Sequence, residues 1–594
     1  MGVKETYQVV INFLRTKLSR VQFIMLIATI VGFISGLVAV LLKTIVHRLQ
    51  HGVENISFHR YAYLLFPTIG LLITALIIRY FFKGQLERGI AMVLRAIARK
   101  SSFIPLNHTY SHVITSSITV GLGGSVGLEA PIVATGSAIG SNISRISDLN
   151  YPERTLLIAC GAAAGISAVF NAPIAGVIFA VEVLLTETVV SYFIPLIISS
   201  VVGVLVSKII LGESSLFNFA LKQSFDYKNV PYYILLGIVA GFMSLYYARS
   251  FKKTESFIYT RKLNIVAKTI TGGMLLLCLF FFLPPLFGEG YESVKSVANG
   301  SFTSFTDNTS LFSGLGENWG IIAFTALVVL LKPVAAGITI GSGGNGGNFA
   351  PSLFAGSYLG FFFSRLLNSS PWINIPVGNF SLVGMAGVLS GVMYCPLTAI
   401  FLIAEITNGY ELFIPLMIVS SISFFIVKSY EPYSMDLKKL ALEGQVFTHK
   451  KEKNILTSMS LAEMLQDSYD SIGIDKKLAD LVDIIKRSEK NIFAVTDAKQ
   501  KFAGIIELND IKQQLFQPDQ FENITVRSLM KKPASVLLYD DNMHTVMKKF
   551  DTSQSWYLPV LDKDKTFKGF ISKTKLFNKY REILSAQGDL YEPG

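Results

Sequence analysis

At 594 residues, with 51% hydrophobic and only 16% charged side chains, the chain is far more apolar than a soluble protein, which carries about 25% charged residues. The formal net charge of +12 raises nucleic acid as a partner, but the basic residues flank apolar segments in the manner of cytoplasmic loops, and no nucleic acid is implied. The three cysteines, Cys160, Cys278 and Cys395, lie in apolar segments without paired spacing; they read as small buried hydrophobes and exclude a disulfide or metal framework.

Residues 1–20 form a short N-terminal segment in which Lys4, Arg15, Lys17 and Arg20 precede the first apolar run, "FIMLIATIVGFISGLVAVLL". This basic flank predicts a cytoplasmic N-terminus, and the segment lacks the short apolar core and small-residue cleavage site of a signal peptide. Apolar runs then dominate from about residue 22 to 428. Many are shorter than the roughly 20 residues of a perpendicular span. Those near 112–122, 131–143, 155–170, 173–185 and 396–406 are interrupted by Gly, Pro and Ser instead of by charged loops. Broken helices are tolerated at membrane depth only where protein or a water-filled cavity surrounds the freed backbone. That predicts a transporter or channel, not an anchored enzyme, and no nucleophile, metal cluster or acid pair argues for catalysis. His47 with His51, and His108 with His112, have metal-ligand spacing, but no third ligand completes either pair.

Two stretches repeat. "GGSVGLEAP" (123–131) matches "GGNGGNFAP" (343–351) at an offset of 220, and "GSAIGSNISR" (136–145) matches "GSYLGFFFSR" (356–365). At an offset of 223, "NAPIAGVIFAVE" (171–182) matches "YCPLTAIFLIAE" (394–405), pairing Pro173 with Pro396 and Glu182 with Glu405. Corresponding Gly/Pro-interrupted segments in two halves point to a binding site at the interface between repeats. The halves extend over about 60–215 and 265–430, and this pattern alone leaves parallel and inverted relations open.

Pro131 and Pro351 each follow a Gly-rich stretch and precede an apolar run, which predicts a helix whose first position is the proline. A Gly-rich loop leading into a helix N-terminus turns free backbone N–H groups toward an anion. Two such ends can hold one anion without a fixed Lys or Arg, weakly enough to release it. Glu129 stands just before the first of these helix starts, where Phe349 stands in the second copy. An ionisable residue at membrane depth costs roughly 2.5–3.5 kcal/mol on insertion scales and is a functional candidate by default. A carboxylate beside an anion site can fill the site itself and leave it on protonation. Gly341, Gly343, Gly344, Gly346 and Gly347 suggest a phosphate loop, but no Gly-Lys-Ser/Thr follows.

Over about residues 20–440 the chain resembles the CLC family of chloride channels and proton-coupled chloride exchangers. Gly127-Leu128-Glu129-Ala130-Pro131 is similar to the family's Gly-Lys/Arg-Glu-Gly-Pro gate motif, and Gly347-Asn348-Phe349-Ala350-Pro351 to its Gly-x-Phe-x-Pro motif. "CGAAAGISAVFNAPIAGVIFAVE" resembles the family stretch between them. The resemblance implies an all-α polytopic membrane domain (21–440) of broken, tilted helices in an inverted repeat, and a homodimer with one pore per subunit. It also implies an anion held by helix N-termini. Glu129 becomes the gate and proton acceptor, with anion contacts from Gly127, Leu128, Ala130, Asn348, Phe349 and Ala350.

Three positions depart from the family pattern. The Gly-Ser-Gly-Ile-Pro motif is matched only by "ERGIA" (87–91), which puts Arg88 where the anion-binding serine belongs. The central tyrosine corresponds either to Tyr433 or, by spacing to Lys438-Lys439-Leu440, to Asp436, and Arg88 with Asp436 are candidate partners. Val183 replaces the internal proton glutamate of coupled members, which favours a passive channel; other members exchange without that glutamate, so a proton-coupled exchanger is the alternative. Glu182 reads as a structural hydrogen-bonding or ion-pairing residue. Chloride or a related small anion, possible proton movement, the bilayer of a plasma (inner) membrane and a second copy of the chain are the expected partners.

After a polar linker at 441–456, residues 457–590 turn charged and duplicate. "LVDIIKRSEKNIFAVTDAKQKFAGIIELNDI" (481–511) resembles "TVMKKFDTSQSWYLPVLDKDKTFKGFISKTKL" (545–576), each an amphipathic helix, a strand, an Asp/Lys turn and a strand after Gly504 or Gly569. The tail is similar to a tandem pair of CBS domains, an α/β unit, in copies of about 457–516 and 523–585. Such pairs often bind adenine nucleotides through an Asp on the ribose. Asp510 is the one matching acid, and Lys575 replaces it in the second copy. No cofactor is required for transport, and a membrane-anchored nucleotide sensor is the competing reading from another class.

Overall fold

The computed structural model describes residues 13, 15–56, 62–84, 86–87, 89–99, 102–185, 193–212, 223–299, 317–407, 409–442, 459, 461–465, 469–498 and 501–588. Arg88, Lys4 and nearly all of the 441–456 linker lie outside them. The chain divides into two units, Met1–Glu443 and Gly444–Gly594.

Among the described residues, the regular structure of the first unit is helical. Its helices are α1 (Arg20–Ile56), α2 (Phe66–Tyr80), α3 (Ile90–Arg99), α4 (His108–Gly121), α5 (Glu129–Ile146), α6 (Tyr151–Phe170), α7 (Pro173–Phe179), α8 (Phe193–Leu211) and α9 (Val230–Tyr259). They continue with α10 (Ile265–Phe282), α11 (Tyr291–Ala298), α12 (Glu317–Gly341), α13 (Phe349–Asn368), α14 (Val377–Met393), α15 (Pro396–Ile406), α16 (Phe413–Tyr430) and α17 (Met435–Leu442). Among the described residues, eight helical segments are long and apolar enough to cross a membrane. The outer helices expose apolar side chains such as Phe33, Leu41, Ile197, Met274 and Phe425, which suits lipid contact. Cys278 lies on α10, the least buried of the eight, and is exposed; the expectation of three buried cysteines holds only for Cys160 and Cys395.

The short, interrupted helices form the interior instead. In α6, Asn150 and Glu153 close a capping box at the start, and Asn171 ends the helix in the left-handed conformation. Tyr394 ends α14 the same way, at the equivalent place in the second repeat. Small residues let these interior helices approach backbone to backbone. A Cβ on Gly360 of α13 would stand 1.9 Å from the Phe380 carbonyl oxygen of the neighbouring chain segment. Gly360→Ala is therefore expected to destabilise the protein by about 1–3 kcal/mol. The fraction of protein surviving as a monodisperse peak after heating in detergent measures this, with Gly52→Ala, which meets nothing within 4 Å, as the control.

The repeats are related by a local two-fold axis, as reciprocal hydrogen bonds between equivalent residues show. The Gly127 N–H donates to the Gly347 carbonyl at 2.9 Å and the Gly347 N–H to the Gly127 carbonyl at 2.8 Å, an antiparallel bridge. The Ser125 N–H donates to Thr339 Oγ1, and the equivalent Asn345 N–H to Thr119 Oγ1. Glu182 accepts from the Leu397 and Thr398 N–H groups at 3.1 and 2.9 Å. Glu405 accepts from those of Ile174 and Ala175 at 3.0 and 2.8 Å. Each glutamate thus caps the helix that begins the other repeat's matching segment, α15 or α7, which is the structural role expected of Glu182.

The second unit holds two three-stranded sheets of the same design. β1 (Ser471–Gly473) runs parallel to β2 (Ile492–Thr496), which pairs antiparallel with β3 (Phe502–Glu507). β4 (Leu537–Leu538), β5 (Tyr557–Leu561) and β6 (Phe567–Ser572) repeat the pattern. Helices α18 (Leu478–Arg487) and α19 (Met543–Ser553) precede β2 and β5. The registers match as well, with Val495 opposite Gly504 and Val560 opposite Gly569. Both glycines lie inside their strands, so each strand starts three residues earlier than expected. Phe502 and Phe567, bulky enough to pack on one another, extend it.

Candidate functional site

The two Gly-rich loops meet at the bridge between Gly127 and Gly347, and the helices they lead into, α5 and α13, begin side by side. Both helices start two residues before their prolines, with Leu128 and Asn348 as N-cap residues. Pro131 and Pro351 therefore occupy the third helical position. Proline is tolerated there for the reason it suits the first position, because no N–H in the opening turn has a helical partner. Glu129 is accordingly the first residue of α5, not the residue before it.

The Glu129 side chain reaches across to the other repeat. Its Oε2 accepts from the Ala350 N–H at 3.3 Å, and its Oε1 accepts from the Tyr291 hydroxyl. The residue is 1% exposed. Glycine at 127 makes this crossing possible, since a Cβ there would lie 2.2 Å from Glu129 Oε2 and 2.7 Å from the Ala350 Cβ. The Glu129 carboxylate thus sits on a backbone amide in the first turn of α13.

A second acid adjoins it. Glu289, in the turn before α11, accepts from the Leu128 N–H at 3.1 Å. Two lysines answer these carboxylates. Lys332 of α12, fully buried, donates to Ser125 Oγ at 2.9 Å and to the Gly288 carbonyl at 3.1 Å, with its ammonium 4.4 Å from the centroid of the Phe354 ring. Lys43 of α1 places a buried ammonium within electrostatic range of Glu289. On the other flank, Tyr247 of α9 is fully buried and donates to Asn348 Oδ1 at 3.1 Å.

Of the residues expected from sequence, Gly127, Leu128, Glu129, Ala130, Asn348, Phe349 and Ala350 come together here. Their roles divide differently from the expectation. The Gly127 N–H is committed to the Gly347 carbonyl, so this glycine brings the loops into contact and is not a free anion donor. The Leu128 and Ala350 amides are each held by a carboxylate. Phe349, the counterpart of Glu129, is buried against Phe170 and Phe179. Val183 packs against the main apolar core from a π-helical turn at Ala180–Leu184. Tyr433 and Asp436 are half-buried around the start of α17, and the charges acting on Asp436 are Lys252 and Glu255 of α9. Neither belongs to the hydrogen-bonded set around Glu129 among the described residues, and Arg88 lies outside those residues. In the tail, Asp510 is ion-paired with Lys531 at 2.6 Å, a contact that raises the Lys531 ammonium above its usual range.

Glu289, Tyr291, Lys43, Lys332 and Tyr247 were not among the expected residues. Lys332 carried a legible signal, a lone cation inside the apolar run "ALVVLLKPVAAG", of the kind that marks function at membrane depth. The others sit at segment ends, where a polar residue is ordinary.

The profile described as voltage gated chloride channel matches residues 70–428, and that described as CBS domain matches residues 526–582. The chain is 29% identical over 310 residues to the H(+)/Cl(-) exchange transporter ClcA of Vibrio cholerae, covering 51% of this chain and 62% of that one. It is 26% identical over 456 residues to the chloride channel protein CLC-f of Arabidopsis thaliana, covering 68% of this chain and 56% of that one. Its fold matches the crystal structure of a slow cyanobacterial Cl-/H+ antiporter with a TM-score of 0.60 at 21% identity, over 71% of this chain and 97% of that one.

Proposed function

The chain belongs to the voltage-gated chloride channel family and ends in a CBS domain, and from that premise we propose that it moves chloride or a related small inorganic anion through a path gated by Glu129. The observation that carries this reading is the crossed arrangement of the gate. A carboxylate from one repeat occupies a backbone amide at the helix start of the other, the position a permeating anion would take. Protonation neutralises Glu129 and releases the Ala350 amide. The Asn348, Phe349 and Ala350 backbone on one side, and the Leu128 and Ala130 backbone on the other, then hold the anion between two helix N-termini. Tyr433 or Asp436 takes the place of the central tyrosine in this reading. Two copies of the chain act together with one path in each, the N-terminus and the tail facing the cytoplasm across the plasma membrane.

Passive conduction is the first form of this reading. Val183, packed into the core, offers no proton-binding group where coupled members carry one. Proton-coupled exchange is the second form, favoured by the hydrogen-bonded, buried Glu129–Tyr291 pair, which gives a proton a defined landing place. The CBS pair serves regulation, with adenine nucleotide bound at Asp510 only when the acid parts from Lys531.

Anion flux across several anions at clamped voltage, from purified protein in liposomes with external pH recorded, tests the proposal. Flux of chloride or another small anion without proton movement is expected for the channel form. Proton uptake driven by a chloride gradient would replace it by the exchanger, and absence of any anion flux from well-folded protein would overturn both.

A further inference from the structure

Beyond Glu129, we propose that Glu289 is a second carboxylate of the gate, holding the Leu128 amide at the start of α5 until an arriving anion replaces it. This inference rests on the transport reading above. The two cradle loops each present an amide at a helix start, and in this structure each amide is filled by a carboxylate from elsewhere: Ala350 by Glu129 and Leu128 by Glu289. Opening one without the other leaves half the cradle occupied and a negative charge beside the incoming anion.

The structure also separates Glu289 from the glutamates that cap helices permanently. Glu182 takes two amides and the Thr398 hydroxyl, and Glu405 takes two amides. Glu289 takes one amide among the described residues, so less holds it in place. It has somewhere to go. The Lys43 ammonium on α1 is buried without a hydrogen-bond partner, and Glu289 is the carboxylate whose charge acts on it most strongly. A buried, unsatisfied ammonium is costly, and a carboxylate swinging onto it removes that cost.

The groups that face Glu289 come from every side. Glu129 on α5 repels it, Lys332 on α12 and Lys43 on α1 attract it, and Tyr291 two residues on binds Glu129 instead. Lys295 on α11 acts on Lys43 in turn. With all four charges present, two carboxylates balance two ammonium groups. An anion entering this set adds a negative charge, which a proton on one carboxylate offsets, while the departure of Glu289 toward Lys43 takes its charge away from the anion.

The test compares anion efflux from liposomes containing the full-length wild type, Glu129→Gln, Glu289→Gln and the double variant, over acid to alkaline pH. Glu129→Gln is expected to keep an acid activation of about tenfold, and the double variant to lose it, since tenfold corresponds to the weakening of one such contact by about 1.4 kcal/mol. The proposal is overturned if Glu129→Gln is already independent of pH, or if its acid activation survives in the double variant. Should Glu289→Gln yield no folded protein, Glu129→Gln/Glu289→Asp decides. The shorter acid keeps the acid activation but loosens its hold on Leu128, so alkaline flux rises severalfold, and an unchanged alkaline flux overturns the idea. No flux from any of the proteins, wild type included, is a different failure, because it removes the transport reading itself.

Discussion

Glu129→Gln is expected to raise anion flux at alkaline pH by tenfold or more and to remove whatever proton movement accompanies flux in the wild type. The carboxylate accepts one hydrogen bond from the Ala350 N–H and one from the Tyr291 hydroxyl. Hydrogen bonds to an ionised group contribute about 1.5–3 kcal/mol each, roughly twice those between neutral partners. A glutamine keeps the shape and can offer its carbonyl oxygen to one of the two donors, but it brings no charge. Losing about 1.4 kcal/mol of hold on the cradle corresponds to a tenfold easier displacement by an anion. Nor can the amide take up and release a proton in the physiological range. Efflux from liposomes with a pH electrode in the bath reads both quantities together. A variant with wild-type flux and a wild-type pH profile would remove Glu129 from the gate.

The second large effect concerns stability. Lys332→Met is expected to cost about 3–5 kcal/mol, enough to prevent recovery of folded protein, because it breaks one side of a buried charge set. Ser125 Oγ and the Gly288 carbonyl lose their donor, and Glu289 loses one of the two cations that balance it. The partner variant makes the argument specific. In Lys332→Met/Glu289→Gln the uncompensated carboxylate is gone, so part of the loss should return. Thermal survival of the monodisperse peak in detergent measures both proteins. If the double variant is no more stable than the single one, the ammonium serves the loop contacts and not charge balance.

Glu129, the proposed gate, was legible in the sequence as a candidate because it is a difference between copies. Glu129 stands out only when "GLEAP" is laid against "GNFAP", and the duplication supplies that comparison without any other protein. The helix starts were misread by two residues, since proline marks the whole opening turn and not its first position. Glu289 and Tyr291 were illegible for a different reason. They lie in "GEGYESV", a polar stretch that composition assigns to an ordinary loop, and only the folded chain brings it beneath the N-terminus of α5. The tail duplication was readable as a helix and two strands per copy, but the first, parallel strand of each sheet was missed, and the ion pair between Asp510 and Lys531 joins residues 21 positions apart and has no local signature.

The exchange of caps between Glu182 and Glu405 carries a consequence for the two halves. Each half of the membrane unit finishes its own helices with a side chain borrowed from the other half. A half on its own would leave one of these helix starts uncapped and a half-buried carboxylate without these donors. Two identical halves facing one another would satisfy all of these groups at once. The acid at 129, equivalent to a phenylalanine at 349, is an asymmetry that two identical halves could not have.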